Sequence, residues 1–112
     1  HKRKQLERYY EMKQNDKPAI YRILNIINNC AYVGQTAMVN QRIKTHKSAL
    51  KNSKHSNPQL QEEYNKYGKE AFIFEVIEEL PCDISKDVLL KKEGEQIKKH
   101  LKEGKKIYNC LT

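Results

Sequence analysis

The sequence is that of a small α/β (α+β) domain, with helices laid on a three-stranded, largely antiparallel sheet. Three observations predict this. Two short β-rich runs flank a paired asparagine. Helical-period and strand-period segments follow one another in the order β-hairpin, helix, helix, strand, helix. The chain of 112 residues is long enough for one modest core and too short for two.

Residues 1–14 are rich in Lys, Glu and Gln, with Leu6, Tyr9 or Tyr10, and Lys13 at helical spacing, and predict an extra helix. Asn15-Asp16-Lys17-Pro18 breaks it, so residues 1–17 are set apart as a helical extension or linker and 18–112 as the domain. Ala19 to Ile27 and Cys30 to Gln35 read as a hairpin turning at Asn28-Asn29, because asparagine tolerates positive φ. With a four-residue loop, Tyr32 pairs with Ile23 and Tyr21 with Gly34, which puts both tyrosines on one face about 7–8 Å apart. Gly34 then leaves open space beside Tyr21. Tyrosines also favour strands for no chemical reason, and a strand glycine more often marks a bulge than a ligand.

Val39 to Lys51 predicts a helix whose inner stripe is Val39, Ile43, His46 and Leu50. Asn57-Pro58 reads as an N-cap followed by proline at the first helical position. Leu60, Tyr64 and Tyr67 form the stripe of that helix, and Gly68 its left-handed terminus. In Ala71 to Ile77, Phe72, Phe74 and Val76 face one way and Ile73 and Ile77 the other, the pattern of a central strand. Asp83 or Ser85 caps a last helix running to about Lys102, with Leu90, Glu93, Ile97 and Leu101 on its inner stripe. The tail from Lys106 to Leu111 reads as short and semi-extended.

Lysine and arginine number 22 against 14 aspartate and glutamate, a formal charge of +8. That excess favours polyanionic partners, and it is spread through periodic segments rather than gathered in a tail. Solubility alone is the plainer reason for such charge. Cys30, Cys82 and Cys110 are odd in number and form no C-x-x-C, so neither a disulfide framework nor a zinc site is indicated. Reduced thiols and an intracellular, cytoplasmic setting are expected. No apolar run approaches the length needed to span a bilayer, and no signal peptide is visible.

Certain residues do not fit a story of packing alone. Glu93 falls on an apolar stripe, where a lone carboxylate costs several kcal/mol unless it is paired or binds a cation; the plain alternative is the stripe's edge, within reach of water or a lysine. His46 lies one turn after Arg42, so both can meet one ligand, although a core-edge histidine needs no ligand. His55 sits in a polar loop and is uninformative alone.

Taken in order, these residues resemble the GIY-YIG nuclease family. Ala19-Ile20-Tyr21 is similar to its first motif and Tyr32-Val33-Gly34 to its second. Arg42-Ile43-Lys44-Thr45-His46 is similar to its Arg-x-x-x-His helix, Glu93-Gly94-Glu95-Gln96-Ile97 to its metal-binding segment, and Tyr108-Asn109 to its closing pair. The resemblance covers about residues 18 to 112 and is greatest toward the catalytic domains of phage and intron homing endonucleases, in which a second histidine follows the Arg-x-x-x-His helix, as His55 does here. It implies hydrolysis of DNA phosphodiesters with one Mg²⁺ (or Mn²⁺) held by Glu93. By the same resemblance Tyr21 is the general base or orients the attacking water, and Tyr32 assists it or binds phosphate. Arg42 stabilises charge on the scissile phosphate, His46 or His55 relays protons, and Asn109 fixes the site by hydrogen bonds.

Two positions depart from the family pattern. Ala19 replaces a glycine that supplies only backbone, and Gln96 stands where an aromatic is common. Lys44, Lys47, Lys51 and Lys54 around Arg42 are the expected phosphate contacts. Two rival readings are a basic module of the same fold that does not cut, and a nuclease acting on RNA or branched DNA. A further DNA-binding domain outside this chain is an expectation of the same comparison, since none is visible here.

Overall fold

The computed structural model describes residues 16 to 110, so the extra helix expected over 1–14 lies outside the described residues. β1 (Ala19–Asn25) and β2 (Cys30–Thr36) form the expected hairpin, and β3 (Phe72–Glu79) pairs antiparallel with β1, giving the order β2-β1-β3. Helices α1 (Val39–Lys51), α2 (Pro58–Tyr67) and α3 (Lys86–Lys102) complete the layers. The hairpin register pairs Tyr21 with Gly34 and Ile23 with Tyr32, as the four-residue loop requires. Its turn works as the asparagines suggest: Asn29 takes φ 60°, and the Asn25 and Asn28 side chains accept from the backbone N–H groups of Ile27 and Cys30.

The central strand is β1 and not β3. β1 is buried on both faces, with Ile20 and Ile23 fully inside, whereas Ile73 and Val76 of β3 are each 41% exposed. The apolar residues on both sides of β3 mimic a central strand, but Glu75, Glu78 and Glu79 mark it as an edge. The register slips between Ile20↔Glu78 and Tyr21↔Val76, leaving Ile77 as an extra residue opposite the start of the tyrosine segment.

One sheet face packs Ile20, Val33 and Ile107 against Leu89 and Ile97 of α3. The other packs Ile23, Cys30 and Phe72 against Leu50 of α1 and Leu60 of α2. The inner stripe of α1 is as expected, with Val39, His46 and Leu50 buried. On α2 the buried pair is Leu60 and Gln61, and Tyr67 is largely outside. On α3 the buried residues are Leu89 and His100, whereas Leu90 and Leu101 are about half exposed. The stripe is therefore displaced by one residue, because leucines stand at both 89 and 90. Glu93 remains on the inner side, one turn from Leu89.

The caps follow the sequence in part. The Asn57 side chain accepts from Leu60 N–H, and that of Ser85 from Val88 N–H. Gly68 has φ 87° but ψ 163°, an extended conformation open essentially to glycine alone and not the left-handed helical one. The Met38 side chain does not cap α1. Asp16 supplies that cap from across the chain, one carboxylate oxygen accepting from Asn40 N–H at 2.7 Å and the other from Gln41 N–H at 3.0 Å. The tail makes a parallel bridge between Ile107 and Ala31 and then a short 3₁₀ turn, Tyr108–Cys110. No helix among the described residues is long and apolar enough to cross a membrane.

Candidate active site

Strand β1 delivers Tyr21, which is 1% exposed, and the missing side chain of Gly34 makes room for it. A Cβ on Gly34 would collide with Cζ, Oη and Cε1 of the Tyr21 ring. The space that the sequence leaves open beside Tyr21 is thus filled by the tyrosine itself.

Tyr21 Oη lies 2.6 Å from Nε2 of the buried His46. His46 Nδ1 lies 2.8 Å from His55 Nε2, with the ring centroids 5.0 Å apart and the planes inclined by 23°. His55 Nδ1 accepts from the backbone N–H of Asn57 at 3.0 Å. Tyr32 sets its edge against both imidazoles, with centroids at 5.3 and 5.8 Å. The isolated histidine of the polar loop is therefore the third member of a continuous chain.

Arg42 is exposed and one turn before His46. Its pKa is raised, chiefly by the neighbouring Tyr21 hydroxyl and further by Tyr32, against burial. Burial pushes Tyr21 up to about 12; Arg42 opposes that rise, and the charges of Tyr32 and Glu93 add to it. His46 is held down to about 4, by burial first, then by the charges of Arg42 and His55. His55 is lowered by burial and by Arg42, against a smaller opposing contribution from the Asn57 backbone. Both imidazoles are therefore neutral at physiological pH.

Glu93 reaches the outer edge of β2. Its pKa is raised by burial, against the Gln35 backbone hydrogen bond and the charge of Lys86. Gln35 also holds a buried side-chain oxygen, Oε1, with no partner among the described residues. Asn109 meets the same edge: its Oδ1 accepts from Val33 N–H at 2.9 Å, and its Nδ2 donates to Val33 O at 2.7 Å. It pins the strand between Tyr32 and Gly34 rather than entering the tyrosine–histidine chain.

Shallow grooves run along the outside of α1. One of about 290 Å³ is lined by Thr36, Met38, Gln41, Arg42 and Thr45, and one of about 450 Å³ by Gln41, Lys44, Thr45, Ser48 and Lys54. Lys44 and Lys54 thus lie along a path leading to Arg42. The Lys47 ammonium sits 5.1 Å over the Phe74 ring, and Lys51 is exposed near the end of the helix.

Sequence reasoning missed Gln61 and the backbone of Asn57. Gln61 Oε1 accepts from His55 N–H, and its Nε2 donates to Leu50 O and to Asn65 Oδ1. A buried glutamine tying the α1 terminus to the His55 loop was signalled only by its place beside Leu60 on an inner face.

No group of three or more His, Cys, Asp or Glu that could hold a metal occurs among the described residues, which argues against an all-protein cage there. The donor set instead fits a hard divalent cation that keeps most of its water. Glu93 is a half-buried carboxylate with no ion-pair partner within 4 Å among the described residues, and Mg²⁺ needs only one or two carboxylates when water and phosphate oxygens complete its shell.

A three-stranded sheet here presents two tyrosines beside an arginine–histidine helix and a half-buried glutamate. The model of the GIY-YIG catalytic domain matches residues 17–109, and the chain belongs to that family of nuclease catalytic domains. It is 37% identical over 82 residues to the intron-associated endonuclease 1 of Enterobacteria phage T4, a match covering 73% of this chain and 32% of that protein. The chain thus spans about a third of the length of that relative. The catalytic domain of the homing endonuclease I-TevI is similar in structure, with a TM-score of 0.68 at 35% identity over 74% of this chain and 87% of that one. A mutant of the same catalytic domain gives 0.66 at 35% identity, over 74% and 82%.

Proposed function

We propose that the domain hydrolyses phosphodiester bonds of DNA with one divalent ion, Mg²⁺ or Mn²⁺, at Glu93. The observation that carries this reading is the convergence of Tyr21, Arg42 and the Glu93 carboxylate. Arg42 stands one turn before His46, whose Nε2 lies 2.6 Å from Tyr21 Oη, and the charges of Arg42 and Glu93 both act on the Tyr21 hydroxyl. Arg42 presents a permanently charged planar fork to the scissile phosphate and neutralises the charge that builds on its oxygens. Tyr21 Oη takes the proton of the attacking water after giving up its own; Arg42 offsets part of the bias that burial sets against the phenolate. Tyr32 closes the other side and orients the phosphate. Asn109 keeps Tyr32 and Gly34 in register through Val33. Glu93 would hold the ion, which when bound would supply charge stabilisation to the phosphate and a more acidic water.

Lys44, Lys47, Lys51 and Lys54 serve as phosphate contacts flanking the cut. The relative's name, an intron-associated endonuclease, fits DNA as the substrate, with recognition supplied by a further domain. The free thiols of Cys30 and Cys82 suit a reducing, intracellular compartment.

The test is nicking of supercoiled plasmid in Mg²⁺ and in EDTA, for the wild type and for Glu93→Gln. Cleavage in Mg²⁺ alone, lost in Glu93→Gln while DNA binding and fold persist, is the expected result. A Glu93→Gln protein cutting at the wild-type rate overturns the metal assignment. A wild type that binds but never nicks makes the domain a binding module.

A further inference from the structure

We infer that the two histidines form a one-way hydrogen-bond chain, set by the Asn57 backbone N–H, in which His46 donates to Tyr21 and cannot receive its proton. This rests on Tyr21 being the base of the reading above, and it changes what the histidines do for that base. They position and polarise the tyrosine and do not relay its proton.

The direction follows from counting hydrogens. A backbone N–H is only a donor, and that of Asn57 points at His55 Nδ1. His55 Nδ1 therefore carries no hydrogen. A neutral imidazole has one N–H, so it must sit on Nε2. His55 Nε2 is 2.8 Å from His46 Nδ1, so His55 donates and His46 Nδ1 accepts. The single hydrogen of His46 is then on Nε2, 2.6 Å from Tyr21 Oη, and His46 donates to the phenol oxygen. The reverse chain needs Tyr21 to donate to His46 Nε2 and His46 Nδ1–H to donate to His55 Nε2. That leaves His55 with no hydrogen on either nitrogen, an imidazolate. Turning either ring over puts carbon where these bonds now lie. The neutrality imposed on both rings by burial and by Arg42 fits one hydrogen each.

Two further groups hold the direction in place. Asn57 is itself clamped, its side chain accepting from Leu60 N–H and donating to Tyr108 O, so its own N–H cannot turn away. Gln61 accepts from His55 N–H and donates to Leu50 O, joining the His55 loop to the end of the helix that carries His46. The consequence falls on Tyr21. Its oxygen faces the His46 Nε2–H, and the Arg42 charge acts on it in the same sense. A phenolate at Tyr21 is thereby met by preorganised donors. The proton leaving its hydroxyl goes to solvent, because the histidine chain has no vacant acceptor facing it. His46 and His55 are positioning residues.

The experiment reads the hydrogens directly, on the wild-type protein with ¹⁵N-labelled histidine. Two-bond ¹H–¹⁵N correlation spectra near neutral pH distinguish the Nδ1–H and Nε2–H tautomers of each ring. The expected result is Nε2–H for both His46 and His55. A His46 carrying its hydrogen on Nδ1 overturns the inference whatever the activity, and a wild type that fails to nick overturns the nuclease reading without touching the tautomers. The second arm compares His55→Gln with His55→Leu in single-turnover nicking. The glutamine amide can still donate to His46 Nδ1 but cannot pass a proton through a ring. We expect His55→Gln within about tenfold of wild type and His55→Leu lower by about 10²-fold. Equal, severe losses in two folded variants mean that a proton passes through His55, and equal retention means that the chain does not act on Tyr21. If His55→Leu fails to fold, the tautomer spectra still decide.

Discussion

Gly34→Ala tests the placement of Tyr21 without touching a chemical group. An alanine Cβ there lies 2.8 Å from Tyr21 Cε1, against the 3.4 Å at which ordinary contact begins, and closer still to Cζ and Oη. The ring must retreat by at least 0.6 Å at Cε1 and by more at its tip. Tyr21 is 1% exposed, within a cluster that includes Ala19 and Val39, so the retreat displaces neighbours as well. Overpacking of this kind costs about 1–3 kcal/mol of stability. A reacting group displaced by about 1 Å loses about 10²-fold in rate. The rate loss should therefore appear in protein that urea titration shows to be folded, with DNA affinity unchanged. Gly94→Ala is the companion. It sits in α3 next to Glu93 with nothing within 4 Å of its added Cβ, and it should gain about 0.8–1 kcal/mol from helix propensity. Single-turnover nicking and urea unfolding measure both. If Gly34→Ala cuts within about twofold of wild type, the rate does not depend on where Tyr21 is held, and the assignment of that residue fails.

Further outcomes are expected. Asp16→Ala should destabilise the domain by about 1–2 kcal/mol through loss of the α1 cap, and Asp16→Asn by less, since one oxygen remains; a urea-unfolding change below about 0.5 kcal/mol would show that the remote cap contributes nothing. The depressed pKa of His46 means that the unfolded chain binds a proton between pH 6.5 and about 4 that the folded one refuses. Stability should fall as pH drops through that window, and His46→Asn should flatten the fall in melting temperature, whereas an unchanged slope would sink the argument. DNA affinity should decline with salt by about −0.9 in log–log slope per phosphate neutralised, and Lys44→Ala or Lys54→Ala should each reduce that slope by about one phosphate's worth. A titration independent of salt would contradict it.

How much of this the sequence discloses depends on the range of the interaction concerned. The hairpin is legible from its two β-rich runs, but its register follows only once the loop has four residues, 26 to 29, which sets Tyr21 opposite Gly34. Glu93 was legible although its helix stripe was misread, since residue 93 is one turn from both Leu89 and Leu90. β3 was misread as central because alternation reports what a strand could bury on each face, and not whether a second strand lies beyond it. The tyrosine–histidine chain was invisible beyond its members. His55 enters it through a loop whose path is set by Asn57 and Gln61, and no periodicity records that path. The Asp16 cap was hidden similarly: it serves a helix 24 residues onward from its own position.

The outer rim of β2 has a wider consequence for the molecule's behaviour in a crowded solution. An unpaired strand rim is a template on which a second molecule can grow a continuous ladder. Here Ala31 N–H donates to Lys106 O, and Val33 is matched on both its N–H and its C=O by the Asn109 carboxamide. The rim is thus occupied at Ala31 and Val33 by a side chain and a tail. One of these occupants, Asn109, is also a group on which the reaction is proposed to depend. A substitution at Asn109 would therefore free the Val33 backbone as well as remove a proposed site residue, and would open a seam on which a second molecule could pair.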